Sequence, residues 1–344
     1  MYALIRSLLF RLDPEASHRL TIKLLKFAYP SARALRLARR AKQLPVRGLG
    51  LEFKNPLGAA AGIDKNGECI DALFALGFGF VEVGGVTPKP QLGNPQPRLH
   101  RLVSNEAIIN RLGFSNNGVM ALVERLKQRT VPGILGVNIA KGNDTPLDLA
   151  HQDYQFCMEQ LYPHVDYQVI NISCPNVGDK QGLQQTEYLA KLFEQLKATQ
   201  SRLAVQYKKF VPLLVKISPD LTPTQLEQQV TVILQAKMEG IVAVNTTLDH
   251  SAVQSSLNPA MQGGLSGRPL FQKACQMIRL IREQVGPDYF LIGVGGIASA
   301  ADAEQMLAAG ANVMQLYTAL VYQGPKLITE ILTNHSRCRA ARDL

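Results

Sequence analysis

The chain has no tryptophan and only five cysteines among its 344 residues. Those five (Cys69, Cys157, Cys174, Cys275 and Cys338) are odd in number and show no C-x-x-C spacing. That argues against a disulfide framework, a zinc site or an iron–sulfur site, and for a reducing compartment. No apolar run approaches the ~18 residues that a membrane-spanning helix needs. Arg6 and Arg11 interrupt the first apolar stretch, against a cleaved signal peptide, and Tyr2 excludes an N-myristoyl glycine. Internal repeats, low-complexity stretches and long linkers are missing, as are the P-loop and the G-x-G-x-x-G fingerprint.

What is present is a hydrophobic fraction of 46%, enough for a full core, and a net charge of +10 that is unevenly placed. Residues 1–47 hold 11 Lys/Arg against Asp13 and Glu15, a net +9, whereas the rest has 26 basic and 25 acidic residues. A cationic first segment on a neutral body points to an anionic surface as partner. Residues 3–12 read as a short helix. Asp13 and Pro14 suit the N-cap and first turn of a second helix. In that helix Leu20, Leu24 and Phe27 line one face, Leu25 widens it, and Arg19, Lys23 and Lys26 lie opposite. Ser31 reads as the start of a further basic helix through Arg40. Two readings stay open: a cap lying on anionic lipid, or a bundle packed on the main domain with its cations outward. Nucleic acid is disfavoured because interleaved aromatics and a docking motif are absent.

After a hairpin over residues 46–53, a β–α rhythm runs to the end. Expected strands are 57–61, 80–84, 133–139, 167–173, 212–217, 241–245, 290–294 and 313–316, with helices such as 69–76, 121–129, 187–199, 224–236, 270–284 and 300–309 between them. Eight alternations point to a (β/α)8 TIM barrel with a small N-terminal helical cap; a doubly wound open sheet is the alternative. The division expected is a cap over 1–45, a barrel over 46–336 and a tail over 337–344.

In parallel folds ligands sit at the carboxyl ends of strands. Here those ends are polar: Gly62 to Gly67 with Lys65, then Asn138, the stretch Asn171-Ile172-Ser173-Cys174-Pro175-Asn176, Lys216, and Asn245-Thr246-Thr247. Gly263 to Pro269, Gly293 to Ile297 and Tyr317-Thr318 read as a phosphate site built from glycine backbone and helix starts. A mononucleotide such as FMN fits better than ATP or NAD.

These motifs, with Asn110-Arg111-Leu112-Gly113-Phe114, resemble the dihydroorotate dehydrogenase family in the right order over nearly the whole chain. The cap, with Leu12 to Glu15 and His18, resembles the membrane-associated class 2 members, which pass electrons to a quinone. The resemblance implies FMN held by Ala61, Gly62, Ile63, Asp64, Lys65, Gly85, Asn138, Asn171, Lys216, Val244, Gly267, Gly296, Tyr317 and Thr318. It implies dihydroorotate, oxidised to orotate in pyrimidine synthesis, held by Lys65, Asn110, Arg111, Leu112, Gly113, Phe114, Asn171, Asn176, Asn245 and Thr246. His18, Arg101 and Tyr317 would lie by a quinone tunnel. Neither a metal nor an obligatory protein partner is implied, and the cytoplasmic face of the inner membrane is the expected location. Three residues depart from the family pattern. Cys174 stands where class 2 members carry a serine base, and is typical of soluble class 1 enzymes; Gly85 and Val244 stand where threonine is usual. A soluble class 1-like enzyme, another FMN barrel oxidase and a non-catalytic membrane-binding protein on a degenerate barrel are the rival readings.

Overall fold

A computed structural model describes residues 2–34, 43–173, 186–258 and 261–342. Two helices open the chain, α1 (Tyr2–Leu9) and α2 (Pro14–Ala34). A hairpin of β1 (Val46–Gly48) and β2 (Leu51–Phe53) follows. Then come β3 (Leu57–Ala59), β4 (Phe80–Val86), β5 (Leu99–Leu102), β6 (Ala107–Asn110), β7 (Ile134–Ile139) and β8 (Tyr167–Asn171). The remaining strands are β9 (Leu213–Ile217), β10 (Gly240–Ala243), β11 (Gly264–Gly267), β12 (Phe290–Val294) and β13 (Val313–Leu316).

Eight of these, β3, β4, β7, β8, β9, β10, β12 and β13, lie side by side in chain order, all parallel. The barrel closes where β13 pairs back onto β3, with Met314 opposite Leu57, and this rules out the open sheet. Strands covered on both faces need continuous apolar runs, and β8, β9 and β12 are buried at every position. All six helical patterns are found, within a few residues except at the end of Thr186–Tyr207. Pro223–Gln235 shows why the sequence starts a helix there. Thr222 Oγ1 accepts from the Gln225 N–H (3.3 Å), Gln225 Oε1 accepts from the Thr222 N–H (2.9 Å), and Pro223 takes the first turn.

The hairpin plugs the amino end of the barrel. Phe53 is fully buried, stacked on Phe290 (5.4 Å between centroids) and edge-on to Phe80 (5.1 Å). At the other end β5, β6 and β11 form an antiparallel sheet drawn from the loops after β4 and β10, with Asn110 opposite both Leu99 and Gly264. With its amino end plugged by aromatics, the barrel carries its cleft at the carboxyl ends.

The cap docks by specific bonds. Asp13 Oδ1 accepts from the N–H groups of Glu15 (3.0 Å) and Ala16 (2.9 Å), as its N-cap reading requires. Tyr2 donates to the carbonyls of Leu320 (2.9 Å) and Val321 (2.8 Å), and Arg98 pairs with Glu15 at 2.7 Å. Two expectations change. The first helix ends at Leu9, and α2 runs unbroken through Pro30 and Ser31 to Ala34 rather than restarting at Ser31. A proline removes one helical donor without forbidding the helix when the rest is held. The basic stretch beyond residue 34 lies outside the described residues until residue 43.

Inside the barrel Gly136 leaves room for Tyr167: a Cβ there would land inside the phenol ring, which is itself fully buried. Gly136→Ala is expected to cost ~1–3 kcal/mol through overpacking, measurable as a lower urea midpoint with unchanged slope.

Candidate active site

The carboxyl ends of the strands open into one cleft, whose empty space, open solvent included, is about 1230 Å³. Asn138 is next to last in β7, Asn171 ends β8, Lys216 lies near the end of β9, and Asn245 follows β10; the first three are buried within the wall. Asn171 Nδ2 donates to Asn138 Oδ1 (2.9 Å), and Asn171 Oδ1 accepts from the Ser173 N–H and hydroxyl (both 3.2 Å). Asn245 Nδ2 donates to Ser173 Oγ at 3.1 Å. Carboxamides from β7, β8 and the loop after β10 are thus linked along the cleft wall, the last of them through Ser173.

Most residues singled out from sequence line this cleft: Ala61, Gly62, Lys65, Gly85, Asn110, Leu112, Gly113, Phe114, Val244, Thr246, Gly267, Gly296, Tyr317 and Thr318, with the four above. Ile63 and Asp64 do not. Ile63 packs in the core, and the Asp64 carboxyl turns away to accept from the N–H groups of Glu68 (2.8 Å) and Cys69 (2.7 Å). Arg111 also points elsewhere, donating to the Pro97 carbonyl at 3.3 Å. Cys174 and Asn176 lie outside the described residues. Gln315 was missed; it lines the cleft, and its Oε1 is buried with no partner among the described residues. Its place mid-strand in β13 gave no local signal.

At one end of the cleft the loop after β12 brings backbone close. Gly295 (φ 134°) and Gly296 (φ 74°) adopt conformations that favour glycine, and a Cβ on Gly296 would sit 2.6 Å from the Phe271 nitrogen. Thr318 donates to Ser266 Oγ across this end (2.9 Å).

Of the three residues assigned to a tunnel, His18 lies on α2, Arg101 on β5, and Tyr317 directly after β13. Arg101 donates to the carbonyls of Leu9 and Phe10 (both 3.3 Å) and of Leu12, and lies over the Phe10 ring at 4.4 Å. Tyr317 lines the cleft, and burial raises its phenol to about 12. His18, on α2, is brought down to about 4 by burial and by the charge of Lys65, itself a cleft residue.

The family model described as dihydroorotate dehydrogenase matches residues 43–337. A dihydroorotate dehydrogenase (quinone) of Coxiella burnetii is 48% identical over 343 residues, 100% of this chain and 99% of the relative. One from Legionella pneumophila is 48% identical over 333 residues, 97% of this chain and 98% of that one. Among solved structures, the Eimeria tenella dihydroorotate dehydrogenase in complex with ferulenol superposes with TM-score 0.86 at 32% identity, covering 96% of this chain and 93% of its own.

The position of His18 sets a pH dependence. Its folded value, about 4, lies below the ordinary 6.5, so the unfolded chain takes up a proton first as pH falls. Stability is therefore lost between those two values and levels off below the lower one. Between about pH 7 and about pH 4.5 the wild type is expected to lose ~2 kcal/mol more than His18→Gln in paired urea titrations.

Proposed function

The chain belongs to the dihydroorotate dehydrogenase family, in its quinone-dependent class, and on that premise we propose that it oxidises dihydroorotate to orotate in this cleft, through FMN, and delivers the electrons to a membrane quinone. The observation that carries the reading is the convergence of Asn138, Asn171, Lys216 and Asn245, from four successive strands, on one cleft. Three features fit a bound flavin. The wall holds a buried acceptor, Gln315 Oε1, that awaits a donor. The glycine backbone at Gly295 and Gly296 offers N–H groups where a phosphate would sit. Lys216 places a cation within the wall, suited to an electron-rich ring.

FMN, when bound, supplies the two-electron acceptor for the hydride from substrate C6. The chain's own residues orient the substrate and handle the C5 proton. Carboxamides suit a pyrimidine because each offers both donor and acceptor, and Asn110, Asn171, Asn176 and Asn245 are assigned to it. Lys65, 3.3 Å from Ser115 Oγ, is assigned to the substrate carboxylate. Cys174 is assigned the C5 proton. A free thiol ionises near ~8.5 and a hydroxyl far higher, so cysteine needs less help than serine to act as the base. Its immediate predecessor, Ser173, is buried in the wall.

The cap supports attachment to an anionic membrane surface through residues 1–45, on the cytoplasmic face. Leu4, Leu8, Leu24 and Phe27 are more than half exposed, at 74%, 64%, 55% and 73%. Arg6, Arg11, Arg19, Lys23 and Lys26 accompany them. No described helix is long and apolar enough to cross a membrane, and an amphipathic cap has no need to. A quinone would then reach the cleft past His18, Arg101 and Tyr317.

Two measurements test this reading. Anaerobic mixing of the flavin-loaded protein with dihydroorotate should bleach the flavin, and Cys174→Ala should nearly abolish bleaching while FMN stays bound. A variant rate within about threefold of wild type would remove Cys174 as the base, since a positioned base contributes ~10²-fold or more. On anionic vesicles, Leu24→Glu/Phe27→Glu should weaken binding by at least about tenfold, given ~1.5–3 kcal/mol per large apolar side chain buried; unchanged sedimentation would send the membrane contact elsewhere.

A further inference from the structure

We propose that Glu82 is a positioning residue, the acceptor that fixes which way the carboxamides of Asn138 and Asn171 face the cleft. The inference rests on the reading that FMN occupies that cleft. Glu82 lies mid-strand in β4, 1% exposed, within the barrel. Its Oε1 accepts from Asn138 Nδ2 (3.1 Å), and its Oε2 accepts from Gln315 Nε2 (2.7 Å) and the Tyr167 hydroxyl (3.2 Å).

A carboxylate accepts and does not donate; a backbone N–H donates and does not accept. These are the two ends of one chain. The Ser173 N–H donates to Asn171, Asn171 donates to Asn138, and Asn138 donates to Glu82. Turning over either carboxamide alone, or both, sets donor against donor or acceptor against acceptor at one or more links. Carboxamide oxygen and nitrogen are otherwise interchangeable in shape, so direction has to come from groups of fixed polarity. Ser173 supplies one such group, and Glu82 supplies the other from beneath the cleft. The pattern that Asn138 and Asn171 present to a flavin and to a pyrimidine is thereby set by a residue not among those lining the cleft.

The test is a set of variants titrated with FMN as apoprotein, read by flavin fluorescence and by the visible spectrum, with melting temperatures in parallel. Glu82→Leu removes the acceptor and should weaken FMN at least about tenfold. Glu82→Gln should weaken FMN by less than Glu82→Leu, because its carbonyl can still meet Asn138, although its new amide draws the Gln315 carbonyl away from the flavin. Asn138→Asp sets acceptor against acceptor and should be the worst single change. Glu82→Gln/Asn138→Asp restores a donor opposite an acceptor, leaves Asn171 facing as before, and should regain at least about tenfold over Asn138→Asp. Glu82→Leu/Asn138→Asp relieves the charge repulsion equally but supplies no donor, and should not recover. If Asn138→Asp does not fold, the two double variants are compared with each other. Equal affinities of the two doubles, strictly additive losses, or Glu82→Leu holding FMN within about twofold would each overturn the proposal. A wild-type apoprotein that takes up no FMN would instead overturn the cofactor reading beneath it.

Discussion

A carboxylate withdrawn from water has to be met by donors, and Glu82 imposes that demand on three other strands of the barrel. Asn138 answers from β7, Tyr167 from β8 and Gln315 from β13. The interior divides accordingly. Below lies an aromatic floor of Phe53, Phe80 and Phe290; above lies a polar layer whose upper edge is the cleft wall. Tyr167 belongs to both. Its ring fills the space left by Gly136, and burial together with Glu82 pushes its phenol well above the usual value. It therefore stays protonated and remains a donor. Packing in the lower half and polarity in the upper half are two ends of one side chain.

The cap obeys a different constraint, since it is apolar on more than one side. Ile22 is buried and Leu25 packs against the core, while Leu24 and Phe27 face outward. The barrel-facing side is tied by polar bonds at its edges. Arg98 and Gln96 both donate to Glu15, and the Arg98 guanidinium holds the Glu15 carboxyl below its ordinary range. Arg101, on β5, donates to the Leu9 and Phe10 carbonyls at the end of α1, of which Leu9 also accepts from the Leu12 N–H. Polar contacts thus fix how the cap sits, while part of its apolar surface stays exposed among the described residues. The cap does pack on the barrel, as the bundle alternative expects, and it also leaves Leu4, Leu8, Leu24 and Phe27 exposed among the described residues.

The barrel was legible because its signal is local. A strand buried on both faces announces itself as an apolar run, and turn residues mark where it ends. Glu82 fell inside such a run, Phe-Val-Glu-Val, and was read as strand and nothing more. Its role depends on which side chains the register brings opposite, and register is written across strands far apart in sequence. Gln315 was missed for the same reason. Asp64 failed in the other direction. The resemblance assigns it to the flavin with its neighbours, but two backbone N–H groups a few residues on claim both its oxygens. Local hydrogen bonding wins wherever it leaves no lone pair facing the cleft. The helix start read at Ser31 is likewise overruled, since α2 keeps its backbone helical through Pro30 to Ala34 despite the lost donor.

The residue at position 85 shows how a departure from a family pattern can be steric. Read from sequence, a glycine where threonine is usual amounts to a missing hydroxyl. In the structure a Cβ at Gly85 would come within 2.9 Å of the Phe114 ring and 3.3 Å of Asn138 Oδ1. The space is already taken by a residue of the loop Asn110 to Phe114, which the resemblance assigns to substrate. Gly85 therefore lets that loop close down on the carboxamide wall, and any larger residue there would have to move Phe114, which itself sits at φ 53°. Loss of a hydroxyl would act on affinity through one bond, whereas displacement of Phe114 would act on the shape of the whole substrate end. The steric coupling is the larger effect, because close-packed side chains transmit a clash to every neighbour they touch.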